Sequence, residues 1–285
     1  MVRKAIITDA GFASRYLPIT KTIPKAMLPM GNKPIIQLIV EECVQADIEE
    51  IILVATPEGK PIYEDYFNNS ANRIRKQLAS QGKEERYKPV QEVLDFPKIE
   101  VITQDVKLPY GNGAPLLSAK DFVMQEEAFL YIYGDDIVLG DVSAAKVVVD
   151  EYEKDTSIDG AIAVQQVTSE EINKYSNVKF KEGSTEFLDR IIEKPEPDKA
   201  FSNLATFGRY LFTNRIFDFL RPDDTGKDGE LWTTDAIDRL AAESKVRVVN
   251  VPGKWMTTGD PDTYIKAHLA YLKSKGVDAC KGCDD

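Results

Sequence analysis

The sequence predicts an α/β fold: a mixed, mainly parallel sheet flanked by helices, with a smaller antiparallel extension. Three observations carry this expectation. Short β-branched runs alternate with helical periodicity through the first half of the chain. Those runs are continuously apolar, the pattern of strands buried on both faces. After about residue 158 the strand-like runs follow one another over shorter connections.

Each element follows from its residues. Ala5-Ile6-Ile7 reads as the first strand, a helix follows with Ile35, Ile36, Ile39, Val40, Cys43 and Val44 on one face, and Ile51-Ile52-Leu53-Val54 completes a βαβ unit. Runs at 99–102 and 129–133 extend the sheet, giving it a Rossmann-like character. Residues 58–98 are charged and helix-permissive around Ile74 and Leu78, long enough to insert over the sheet edge. Strands are then expected at 161–164, 178–180, 187–193 and 206–212. A helix at 214–220, an Asp- and Gly-rich loop at 223–230, a helix at 234–242, a strand at 246–251 and a closing helix at 262–274 complete the chain. No internal repeat or low-complexity linker interrupts it.

A chain of 285 residues buries a full core, and one large domain with insertions is expected. With 43% hydrophobic and 29% charged residues, intrinsic disorder is excluded. No run approaches the roughly 18 apolar residues of a membrane span. Met1-Val2-Arg3-Lys4-Ala5 leads straight into a strand without a signal-peptide core, so a cytoplasmic location and no membrane partner are expected. The formal net charge of -11 argues against a nucleic-acid partner, which needs a basic face. An anionic substrate must therefore meet a local basic pocket. Cys43, Cys280 and Cys283 are too few for a disulfide framework, and Cys280-Lys281-Gly282-Cys283 lacks the second ligand pair of a zinc site. The single histidine, His268, lies in an amphipathic helical pattern, where a structural role is expected.

Chemistry gathers in the loop after the first strand. Residues 6–18, within a phosphate-handling stretch expected at 6–25, place small side chains where the backbone bends at the carboxyl end of a strand, the usual ligand position in open α/β sheets. Backbone amides there can hold phosphate oxygens, and Arg15 adds a forked, permanent charge. Alone, a loop with one glycine would be an ordinary turn. Lys25 follows ten residues later on a track stiffened by Pro18, Pro24 and Pro29, which suits a positioned charge. Gly134-Asp135-Asp136, just past an apolar strand, is either a turn or a metal-binding corner.

Residues 11–25 resemble the signature of the sugar-1-phosphate nucleotidyltransferases, G-x-G-T-R-x-x-P-x-T-x-x-x-P-K, and the chain is most similar to their bacterial UTP-glucose-1-phosphate uridylyltransferase branch. The resemblance continues in family order through Lys33-Pro34-Ile35-Ile36-Gln37, Val40-Glu41-Glu42, Tyr133-Gly134-Asp135-Asp136 and Ile192-Glu193-Lys194-Pro195. It extends to Ser202-Asn203-Leu204-Ala205, Gly208-Arg209-Tyr210, Gly229-Glu230-Leu231 and Thr234-Asp235-Ala236-Ile237, covering about residues 4–272.

The resemblance implies a fold of the nucleotide-diphospho-sugar transferase type in a single domain. A nucleotide-binding half would span about residues 1–157, a sugar-phosphate-binding half about 158–275, and 276–285 would be a polar tail. It implies joining of UTP and glucose 1-phosphate to give UDP-glucose and pyrophosphate with Mg²⁺, and association as a homodimer or homotetramer. Arg15, Lys25 and Lys194 would be the catalytic cations, with Ala10 and Gly11 against the nucleoside and Gln104 and Gly111 at the uracil edge. Asp136, Glu193 and Lys194 would face the sugar phosphate, and Asp135 would bind the metal. A sugar 1-phosphate is already an oxyanion, so in-line attack on the α-phosphorus needs no protein base.

Several positions depart from the family pattern. Asp9 stands where a small apolar residue is expected and adds negative charge near a polyanion. Ala13 replaces the second loop glycine, and its Cβ disfavours a positive φ, so weaker binding or a re-bent loop is expected. Ser14 replaces threonine, Ala26 the glutamate after the lysine, Tyr110-Gly111-Asn112-Gly113-Ala114 the usual G-L-G-H segment, and Thr257 a second metal aspartate. These changes leave two other readings open: a catalytically weak nucleotide-sugar-binding or regulatory homologue, and the same chemistry on another nucleotide or sugar 1-phosphate.

Overall fold

The computed structural model describes residues 1–277, and the Cys280/Cys283 pair lies outside the described residues. The strands are β1 Lys4–Asp9, β2 Pro29–Met30, β3 Lys33–Pro34, β4 Glu50–Ala55, β5 Lys98–Thr103, β6 Ala128–Tyr133, β7 Asp136–Leu139, β8 Gly160–Gln166, β9 Asn177–Phe180, β10 Leu188–Ile192, β11 Leu204–Thr213, β12 Val246–Asn250 and β13 Lys254–Thr257. The helices are α1 Ile35–Gln45, α2 Lys60–Asn68, α3 Asn72–Ser80, α4 Lys88–Leu94, α5 Gly113–Ser118, α6 Lys120–Val123, α7 Ala144–Lys154, α8 Ile216–Phe219, α9 Thr233–Glu243 and α10 Pro261–Ser274.

β1 lies inside the sheet, parallel to β4 on one side and to β6 on the other, and β4 carries β5 in parallel. β6 pairs antiparallel with β11, whose other edge pairs antiparallel with β8. β12 then runs parallel to β8, and the β9–β10 hairpin joins the sheet at Ala205 of β11. Among the described residues this is one nine-stranded mixed sheet. The ten residues of β11 are buried except at their ends, which lets one strand serve both halves of the chain. Smaller antiparallel pairs, β7–β13 and β2–β3, sit off the sheet.

Alternation along β1 sends Ala5 and Ile7 into one core and Ile6 into another. The first core packs α1, α2, α7 and α10 against one face of the sheet, and the second packs α5, α6, α8 and α9 against the other. α1 starts after the extended Pro34 and buries Ile35, Ile36, Ile39, Val40 and Cys43; Val44, expected on that face, is exposed. The 58–98 insertion is helical, but Ile74 is exposed and α3 buries no residue. Its anchors are Tyr63 and Phe67 on α2 and Val93 on α4. The helix expected at 214–220 shortens to α8. No described helix is long and apolar enough to cross a membrane.

Candidate active site

Arg15, in the turn after β1, and Tyr133, Asp135 and Asp136 at the end of β6 line a cavity of about 1110 Å³. After β1 the chain turns through Ala13, which holds the left-handed conformation at φ 45° and ψ 40°. Its carbonyl accepts the Tyr16 N–H at 3.0 Å and the Thr20 hydroxyl at 3.0 Å. The loop therefore keeps a glycine-like bend even with a Cβ in place. That conformation costs roughly 1–2 kcal/mol in a residue with a Cβ. Arg15, in the following turn Ser14–Tyr16, points its exposed side chain along the cavity wall. The Tyr16 hydroxyl donates to the Thr258 carbonyl at 2.7 Å, while the Thr258 hydroxyl donates to the Asp135 carbonyl at 2.9 Å. Arg15's turn and Asp135 thus share one anchor.

Lys25 opens the turn Lys25–Met27, and its Nζ lies 2.7 Å from Asp135 Oδ2. Burial works against the Lys25 charge, but Asp135 and Asp9 together raise its pKa above the ordinary lysine value. Burial also works to raise the Asp135 carboxyl, but the charge and hydrogen bond of Lys25 hold it below the usual range. The Asp135 side chain is 32% exposed, enough to meet a ligand. Asp136 is buried: Trp255 Nε1–H donates to Oδ1 at 2.8 Å and the Gly208 N–H to Oδ2 at 3.1 Å. Burial and the neighbouring Asp135 charge push its carboxyl up to about 6.

Beneath this corner lies Arg209, fully buried on β11. Its Nε and Nη2 reach the two oxygens of Glu42 at 2.8 and 2.7 Å, a bidentate pair. The same guanidinium donates to the carbonyls of Asp136 at 2.8 Å and Tyr133 at 3.4 Å, bracketing the 134–135 corner. The Arg209 and Glu42 segments were part of the family resemblance, but their pairing across 167 positions carried no local signal.

On the opposite wall, Glu193 Oε2 accepts the Thr234 hydroxyl at 2.8 Å and the Ser176 hydroxyl. Lys194 holds a left-handed φ of 41°, and its Nζ lies 4.7 Å from the Trp232 ring centroid, a cation–π arrangement. Lys174, Lys254 and Lys266 also line this cavity, cations that no motif singled out. In a chain of net charge -11 they make the local basic pocket that an anionic substrate requires.

The cavity brings together Arg15, Asp135, Asp136, Glu193 and Lys194. Gly11 and Lys25 line a second cavity of about 200 Å³, and the Lys25–Asp135 bond bridges the two. Ala10, Gln104 and Gly111 line neither. Gln104 caps the end of β5, its N–H donating to the Ala55 carbonyl at 3.0 Å. Gly111 has φ 134°, and a Cβ there would meet the Leu231 carbonyl oxygen at 2.4 Å, so the fold itself demands glycine. At Gly11 a Cβ would meet nothing within 4 Å, so packing gives no such reason. Phe12 and Tyr110, 76% and 52% exposed, stack at 5.8 Å between the Gly11 and Gly111 loops.

Asp9, expected to add negative charge near the substrate, is nearly buried at the wall of the second cavity, where its Oδ2 accepts the Ala26 N–H at 3.3 Å. Thr257 Oγ1 accepts the Gly259 N–H at 3.2 Å, and Asp260 caps α10, Oδ1 accepting the Thr263 N–H at 2.9 Å. His268 Nε2 accepts the Gly31 N–H at 3.1 Å and so braces the β2–β3 turn. Among the described residues no group of three or more His, Cys, Asp or Glu side chains could cage a metal ion.

A sequence profile of the nucleotidyl transferase family matches residues 4–274. The UTP–glucose-1-phosphate uridylyltransferase of Bacillus subtilis is 38% identical over 272 residues, covering 95% of this chain and 91% of that protein. A crystal structure of a UDP-glucose pyrophosphorylase complexed with UDP-glucose superposes with a TM-score of 0.82 at 30% identity, covering 96% of this chain and 99% of the other. A UTP-bound enzyme of the same kind from Acinetobacter baumannii superposes with a TM-score of 0.84 at 28% identity, covering 96% and 94%. A matching profile over nearly the whole chain, a relative of such identity and a corner of Lys25, Asp135 and Arg15 at the strand ends agree: the chain belongs to the nucleotidyl transferase family, in its UTP–glucose-1-phosphate uridylyltransferase branch.

Proposed function

We propose that this protein joins UTP and glucose 1-phosphate to form UDP-glucose and pyrophosphate. The observation that carries this reading is the Lys25–Asp135 pair at the junction of two cavities, facing a wall of further cations. The relatives support it, being uridylyltransferases or structures holding UTP or UDP-glucose. Lys25 and Arg15 would neutralise the triphosphate, chiefly the departing β and γ groups, with Ala10 and Gly11 against the nucleoside. Gln104 and Gly111 would read the uracil edge. Glu193 would hold sugar hydroxyls, Lys194 the sugar phosphate, and Asp136 would shape the sugar side. The attacking oxygen is already ionised, so positioning and charge neutralisation suffice. His268, occupied at the β2–β3 turn, is not needed.

Asp135 fits Mg²⁺. Magnesium takes one or two protein carboxylates with phosphate oxygens and water, and Asp135 is the carboxylate of this corner that remains accessible while Asp136 is engaged on both oxygens. Bound there, it would screen the repulsion between the two phosphate groups. Thr257 and Asp260, already hydrogen-bonded within their own turns, would add little.

Association as a homodimer or homotetramer is also proposed, supported by the exposed Ile265 and Leu269 one turn apart on α10; light scattering of the purified protein checks it. A cytoplasmic location is proposed on the buried free thiol of Cys43 and the absence of a spanning helix among the described residues. For the reaction, pyrophosphate release is measured with UTP, glucose 1-phosphate and MgCl₂. Turnover that EDTA abolishes and excess Mg²⁺ restores is expected. No turnover with any nucleoside triphosphate and sugar 1-phosphate pair would sink the reading.

A further inference from the structure

Asp9 ends β1 with a side chain only 8% exposed, turned away from the main cavity and toward the Lys25 turn. Its Oδ2 accepts the backbone N–H of Ala26, the residue after Lys25, at 3.3 Å. The same oxygen accepts the hydroxyl of Tyr63, fully buried on α2. Burial raises the Asp9 carboxyl above its ordinary value, and the nearby Lys25 charge with the Tyr63 and Ala26 hydrogen bonds works against that rise. Lys25 thus feels two carboxylates: Asp135, open to the main cavity, and Asp9, nearly buried at the wall of the second cavity.

We propose that Asp9, held by Tyr63, is a positioning residue for Lys25, an assignment that rests on reading Lys25 as a cation for the triphosphate. Two effects follow from the geometry. The Ala26 N–H bond fixes the start of the turn that carries Lys25, so the ammonium is aimed before substrate arrives. When phosphate oxygens draw Lys25 away from Asp135, a charge on Asp9 still acts on the buried ammonium through space. Tyr63 makes the first helix of the 58–98 insertion part of this device, since α2 supplies the hydroxyl that orients the carboxylate.

The test is a double-mutant cycle on UTP affinity in the full chain, read by calorimetry, with thermal unfolding followed for every variant. Lys25→Met alone is expected to weaken UTP binding at least tenfold. Asp9→Asn, which keeps the shape and removes the charge, is expected to weaken it at least fivefold, and Tyr63→Phe two- to threefold. In the Lys25→Met background, Asp9→Asn is expected to change affinity by less than twofold. Should Asp9→Asn fail to fold, Tyr63→Phe in the two backgrounds gives the same comparison. Wild-type UTP affinity for Asp9→Asn and Tyr63→Phe would overturn the proposal. So would an equal loss in both backgrounds, which is what a purely structural role predicts. Unchanged affinity for Lys25→Met would instead refute the placement of the triphosphate.

Discussion

The two sides of the proposed site, phosphate and sugar, hold their cations in different ways. On the phosphate side Lys25 is largely buried, bonded to Asp135 at 2.7 Å and backed by Asp9, and the corner it faces is bracketed from below by Arg209. On the sugar side Lys194 is about half exposed, resting over Trp232 with Glu193 Oε1 3.5 Å away. The first wall is set before a ligand arrives. The second leaves its charge half exposed to solvent, at a surface where rearrangement costs little. Preorganisation would suit Lys25 in its proposed role of meeting developing charge on the leaving pyrophosphate, because charge stabilisation is greatest where nothing has to move. A loosely held lysine suits a substrate that has to enter, and product that has to leave, over an open wall.

The contrast can be broken at several points. The largest expected effect is on folding: Arg209→Met leaves Glu42 buried without its partner and should destabilise the protein by about 3–5 kcal/mol, read by denaturant unfolding. A loss below about 1 kcal/mol would mean that the bracket is not holding the corner. Next, Lys25→Ala should lower kcat/KM by ~100-fold, mostly through kcat, as removal of a preorganised charge does. Lys194→Ala should act mainly on KM for glucose 1-phosphate, raising it ~10-fold with a smaller change in kcat. If the two lysines showed the same division between kcat and KM, the contrast between the walls would fail. The smallest effect is at Ala13: glycine there should relieve the left-handed strain and stabilise the chain by about 1 kcal/mol in a thermal melt.

Much of this was legible in the residues. The parallel strands announced themselves because burial on both faces leaves unbroken apolar runs such as Ile51–Ala55 and Ala128–Ile132. The loop with Arg15 and Lys25 and the Asp135 corner were legible from their motifs. The β7–β13 pair was not, because two four-residue strands with mixed burial carry too little periodicity. Ile74 and Leu78 drew attention as a helical face, yet the insertion is anchored through Tyr63 and Phe67, whose partners lie far away in sequence. The partners of Asp9 were not legible for a related reason. Proximity to the substrate loop says nothing about side-chain direction, which the pleat of β1 sets, and Tyr63 lies 54 positions away in a stretch without a motif. The exposed lysines on the far wall carried no local signature, since an exposed lysine in sequence looks like any other.

The most direct measurement follows α-phosphate-labelled UTP mixed in a single turnover with glucose 1-phosphate and Mg²⁺, wild type beside Lys25→Ala. Label should move from UTP into UDP-glucose, at least tenfold more slowly in the variant. Label that stays in UTP, or that moves at the same rate in both proteins, would contradict nucleotidyl transfer at the Lys25–Asp135 corner.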